Sequence, residues 1–224
     1  MDWTRAVDAY CERTGPEYWS EPVNALTNLA FLLSAAVMWR RCAGLATGQM
    51  TGRVLCAILF VIGIGSWLFH THAQAWAGMA DTLPILVFIL AYIFVANRDF
   101  WGMRPLHAAL AVLAFFPFVA LTLTLPLFRL IPGIGSSAGY APVPLLIALY
   151  AIGLRGRAPE LARNLALGAG LLVLSITFRA LDGPLCTALP GGTHFLWHLM
   201  NALMLGWMIE TWRRHRLAGA GRGR

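Results

Sequence analysis

An all-α bundle of seven transmembrane helices, N-terminus outside and C-terminus cytoplasmic, is the fold class this chain predicts. Three observations carry it. Hydrophobic residues make up 58% of the 224 and charged residues 12%, where a soluble domain carries about 25% charged residues. Apolar runs of the length a bilayer demands, about 18–20 residues, recur near 22–39, 53–71, 80–96, 106–124, 139–154, 162–181 and 194–212. All seventeen basic residues are arginine, and they crowd the loops on one side.

Taken in order, residues 1–21 ("MDWTRAVDAYCERTGPEYWSE") lack the basic start and apolar stretch of a signal peptide. They read as an external segment lying at the membrane interface. The loop after span one carries Arg40, Arg41 and Arg53, that after span three Arg98 and Arg104, and that after span five Arg155, Arg157 and Arg163. Spans four and five are joined by "PLFRLIPGIGSSAG", a turn-rich connection. Residues 1–212 form a single domain, and 213–224 read as a disordered basic cytoplasmic tail with Arg213, Arg214, Arg216, Arg222 and Arg224. Thirteen arginines thus share one side, against Arg5, Arg13 and Arg129 opposite, with Arg179 inside span six. The positive-inside rule makes the thirteen cytoplasmic. It also accounts for the net charge of +7, which therefore does not indicate a nucleic-acid partner.

With this orientation the polar residues inside the spans collect at one depth. Ser66 and His70 fall at the outer end of span two, and Asp81 at the outer start of span three. Span one begins outside with Glu21, Asn24 and Asn28, span six ends outside with Ser175, Arg179 and Asp182, and span seven begins outside with His194 and His198. Polar and ionisable groups at membrane depth are costly and mark function.

His194 and His198 are four residues apart and share a helix face, so they can ligate one ion. A third histidine from another helix completes a three-nitrogen zinc site, which brings the pKa of a water to about 7. His70 and His72 compete for that place, on different faces of span two. Asp81 is placed to accept a proton and Ser66 to hydrogen-bond a carbonyl oxygen. The alternatives are histidines bonded to headgroups or neighbouring helices, or a haem site, which leaves Ser66 and Asp81 without a task. His107 and His215 are cytoplasmic surface residues in this reading. Arg179 and Asp182 read as a buried ion pair joining spans six and seven. Cys11 and Cys186 are both external and so either form a disulfide or stand as two separate small apolar residues. Cys42 and Cys56 lie at the cytoplasmic end.

"YCERTGPEYWSEPVNALTNLAF", "GIGSWLFH" with Asp81, "LDGPLC" and "HFLWHLMNA" together resemble the alkaline ceramidase family, seven-span membrane amidases in a superfamily that includes the progestin/adiponectin-type receptors. The resemblance covers nearly the whole chain. It implies zinc held by His70, His194 and His198, with Ser66 and Asp81 catalytic, and a Cys11–Cys186 disulfide. It also implies calcium at the N-terminal segment, of whose ligands Glu12 and Glu21 are retained. Ala9 and Thr14 replace two others, and Asp8 is one residue out of register.

The function expected is a zinc-dependent amidase cleaving ceramide or a related N-acyl lipid to a fatty acid and a sphingoid base. The competing classes are a lipid-responsive receptor with structural zinc and a lipid esterase. An arginine-only, alanine-rich composition fits a GC-rich genome, hence a bacterial plasma membrane with a periplasmic site. The same topology in a eukaryote places the site in the ER or Golgi lumen.

Overall fold

The computed structural model describes residues 2–125 and 134–221. Arg129 with most of its loop, and Arg222 and Arg224, lie outside the described residues. Among the described residues eight α-helices follow one another: α1 (Pro22–Thr27), α2 (Leu29–Cys42), α3 (Gln49–His72), α4 (Ala75–Phe100), α5 (Pro105–Leu123), α6 (Pro142–Leu154), α7 (Pro159–Leu185) and α8 (His194–Gly221). A 3-10 turn, Gly135–Tyr140, leads into α6. Four helices (α1, α5, α6 and α7) open on proline, whose preset φ and missing N–H cost nothing in a first turn. Among the described residues the extended pairing is a single bridge, Ala6 to Gln74.

Six segments among the described residues are long and apolar enough to cross a membrane: Pro22–Cys42 (α1 and α2 together), Gln49–His72, Ala75–Phe100, Pro105–Leu123, Ser137–Leu154 and Pro159–Leu185. α8 is longer, at 28 residues, but His194, His198, Asn201 and Glu210 make it more polar. Those residues are buried, because α8 packs against α2 and α7 and touches α1, α3 and α4. The core gathers around it, with Phe31, Leu59, Ile62, Leu165, Ile209 and Trp212 almost fully enclosed. Leu33, Leu106, Leu113 and Leu121 point outward, each more than half exposed, a large apolar exterior suited to lipid rather than water.

The arginine-rich end is tied together by two acids. Glu210 accepts hydrogen bonds from Arg41, Arg213 and Arg214, and Asp99 from Arg98 and the Trp212 indole. This corrects the expected disordered tail: α8 runs unbroken through 213–221. Arg213 and Arg214, three and four residues after Glu210, close on it as helical neighbours do. Cys42 and Cys56 are both buried free thiols near this end.

Candidate metal centre

The opposite end brings together the start of α1, the end of α3, the start of α4, the end of α7 and the start of α8. His70, His194 and His198 are all buried there, and one ring nitrogen from each lies within 4.8 Å of the other two. Ring centroids are 4.7–5.1 Å apart. His72, two residues on, is exposed and packs instead against Tyr18 and Trp76. Of the two, it is His70 that lies beside His194 and His198.

The hydrogen bonds around the trio leave a specific pattern. Nδ1 of His70 lies 2.6 Å from Oε2 of Glu21; an ionised carboxylate only accepts, so Nδ1 carries the proton and Nε2 keeps its lone pair. Nδ1 of His198 lies 2.9 Å from the Thr27 hydroxyl, whose own proton has the Val23 and Asn24 carbonyls to go to. The hydroxyl then accepts from His198, and Nε2 is again left bare. Nε2 of His70, Nε2 of His198 and Nδ1 of His194 are buried with no partner. Three enclosed, unsatisfied nitrogens converging on one point would each carry a desolvation penalty of about 1–3 kcal/mol. A metal ion removes all three, and a neutral three-imidazole set suits zinc.

Ser66 and Asp81 meet beside the histidines because α3 and α4 pack backbone to backbone. A β-carbon at Gly65 would overlap the Ala80 carbonyl, so only glycine permits this approach. Ser66 is buried, and its hydroxyl, His70 and Arg179 all act on the Asp81 carboxylate.

Asp182 holds the start of α8. Its Oδ1 accepts from the amides of Thr193 and His194 at 2.8 and 2.9 Å, and Oδ2 accepts from the amide of Cys11 at 2.9 Å. The expected Arg179–Asp182 ion pair is thus corrected. Asp182 does join α7 to α8, but through backbone amides left over at a helix N-terminus. Arg179 reaches the Ser137 and Tyr10 hydroxyls and lies over the rings of Tyr10, Tyr140 and Trp197. Cys11 and Cys186 form a disulfide, which pins the N-terminal segment over the centre. Ser175 joins α7 to α8 lower down, through the Trp197 carbonyl.

A match to the ceramidase family model extends over residues 6–217. The chain belongs to the ceramidase family. No individual curated protein matches it significantly. Family membership implies a hydrolase acting on amide bonds, with a lipid, ceramide, as the substrate class.

Glu12 and Glu21, the two acids retained from the implied calcium set, are both bonded within the protein. Glu12 spends both oxygens on the amides of Val23 and Asn24, at 2.7 Å each, capping α1. Glu21 bonds Arg13 through one oxygen and His70 and Asn24 through the other. Burial opposes its charge, yet the bonds from His70, Arg13 and Asn24 hold the Glu21 carboxyl below its usual range. The cation beside Glu21 is the guanidinium of Arg13. Asn24 and Asn28 are buried, each with an unpartnered carbonyl oxygen.

Three contributors were not singled out from the sequence. Tyr10 stacks on the His194 ring at 3.6 Å, and burial pushes its phenol well above the ordinary value despite Arg179. Arg13 and Thr27 orient His70 and His198. Just inside the centre, a narrow cleft is lined by Tyr140, Trp197, Tyr92 and Met208. It is almost wholly apolar, and its inner end is closed by the Tyr92 hydroxyl donating to the Met208 carbonyl.

Proposed function

We propose that this chain is a zinc-dependent membrane amidase that hydrolyses ceramide, or a related N-acyl lipid, to a free fatty acid and a sphingoid base. The observation that carries the reading is the set of three buried, partnerless imidazole nitrogens on α3 and α8. Zinc bound by His70, His194 and His198 would polarise an amide carbonyl and make water nucleophilic near neutral pH.

The remaining steps belong to the chain. The apolar cleft orients a lipid chain by shape, because bilayer and cleft wall are equally apolar and burial alone gains little. The amide then lies among Ser66, Asp81 and the histidines. Asp81 takes the proton of the attacking water as the C–O bond forms. Ser66 donates its O–H to the carbonyl oxygen as negative charge develops there. Asp81 returns the proton to the amide nitrogen as the C–N bond breaks, so the amine leaves neutral and the acid carries the new oxygen.

In this reading α8 is the seventh span, and the centre faces outward: the periplasm if the membrane is bacterial. The arginine partition and the burial of α8's polar residues support it. The test is fatty-acid release from ceramides by purified protein in mild detergent, with and without a zinc chelator. Release that the chelator abolishes is the expected result. Fully zinc-loaded protein that releases nothing from amides favours a receptor, and release from O-acyl lipids alone favours an esterase.

A further inference from the structure

Arg13 lies in the external segment, yet its side chain is only 5% exposed. A buried cation costs several kcal/mol of desolvation unless its donors are matched, so the partners of this one are informative. Nε donates to Oε1 of Glu21 at 2.5 Å. One terminal nitrogen donates to the Gly15 carbonyl and the other to the His70 carbonyl, both at 2.9 Å. The second oxygen of Glu21 holds Nδ1 of His70. Arg13 therefore grips His70 twice, directly at its backbone and through Glu21 at its ring.

A carboxylate and two backbone carbonyls ring this place, each meeting a different nitrogen of the side chain. Here a planar guanidinium fills it, with donors spread in a fork that a lysine ammonium does not reproduce. The unpartnered Nε2 of His70 is the product of this arrangement, because Glu21 fixes the tautomer and Arg13 fixes Glu21.

We propose that Arg13 is a positioning residue whose guanidinium supplies the positive charge beside Glu21 and the His70 backbone, so that no divalent cation is needed there. It holds His70 in its metal-binding orientation and makes the centre independent of calcium. This rests on the three histidines being metal ligands. Outer partners of ligating histidines typically contribute 10–100-fold in metal affinity.

The experiment measures zinc affinity by chelator competition, and thermal unfolding with calcium added or removed, on purified full-length protein. Arg13→Gln should weaken zinc by about 10–100-fold, and Arg13→Lys should recover only part of the loss. Wild type should show neither stoichiometric calcium binding nor a calcium-dependent shift in melting temperature. Arg13→Gln protein with an intact Cys11–Cys186 bridge and wild-type zinc affinity overturns the proposal. So does calcium binding that stabilises wild type, a result that stands even if Arg13→Gln does not fold. Wild type that binds no zinc sinks the amidase reading instead, and the calcium measurements still decide the role of Arg13.

Discussion

Gly65 of α3 lies directly against the backbone carbonyl of Ala80 in α4, with no room for a β-carbon between them. The contact sets the spacing of the two helices at the point where Ser66 and Asp81 face each other. Gly65→Ala should therefore act on two levels. Overpacking a tight interface costs about 1–3 kcal/mol, and here the obstacle is backbone, which yields less than a side chain. Thermal unfolding in detergent should show the loss, and activity should fall further than stability because Ser66 and Asp81 separate. A Gly65→Ala protein with wild-type melting and turnover removes this contact as the determinant of the site.

Metal content should separate the histidines. Alanine at His70, His194 or His198 should abolish stoichiometric zinc, whereas His72→Ala should retain it. Elemental analysis of the four purified variants decides this. Metal lost from His72→Ala and kept by His70→Ala reverses the assignment within "FHTH".

Ser66→Ala and Asp81→Ala should keep zinc and lose hydrolysis. By analogy with other donors to a developing oxyanion, the serine is worth on the order of 10²–10³-fold in turnover. Parallel metal and fatty-acid assays are the measurement. A Ser66→Ala enzyme with unchanged turnover excludes the hydroxyl from the reaction.

Loss of the bridge by Cys11→Ser should cost about 2–5 kcal/mol by the pattern of small domains. Alkylation of wild type without reductant should leave two thiols unlabelled in the intact mass. The same corner depends on Asp182, so Asp182→Ala, which strands three backbone amides, should destabilise by about 1–3 kcal/mol for each one left buried. It should also weaken zinc, because the His194 amide is one of the three. A variant that melts as wild type and holds zinc as tightly contradicts that role.

Blocking the cleft should alter chain preference before it alters chemistry. Leu205→Trp, midway along the lining, should lower turnover of long-chain ceramides relative to short-chain ones, on the order of 10-fold or more. Rates for substrates varied in acyl and in sphingoid length are compared. Length profiles unchanged for both chains take the cleft out of substrate binding.

Much of the scaffold was legible because apolar run length is a local property: six of the seven expected runs recur as apolar helices of spanning length. The histidine cluster was legible for a related reason. A four-residue spacing puts His194 and His198 on one face, and topology brings the ends of α3 and α8 to one depth. The bridge from Cys11 to Cys186 spans 175 residues, yet both cysteines lie on the same predicted side. What stayed hidden depends on side-chain partners far apart in the chain. Nothing near Thr27 indicates that it meets His198, 171 residues away, nor near Arg13 that it reaches the His70 carbonyl. Asp182 looked like the partner of Arg179 because they are three residues apart. Two of its three amide partners are exposed only when α8 begins beneath it, after the turn at Gly192, whose φ of 64° suits glycine. The helical continuation through 213–221 was masked by a composition that also suits a solvated tail.

The division of the ligands between α3 and α8 imposes an order on biogenesis. A nascent chain has His70 in place long before His194 and His198 emerge from the ribosome, so a partly inserted protein holds one imidazole and no metal centre. The N-terminal segment, though made first, can be locked over the site only after the residues around Cys186 have reached an oxidising compartment. Assembly of the histidine cluster and closure of the strap are therefore late events in maturation, and a chain that stops before α8 lacks two of the three histidines.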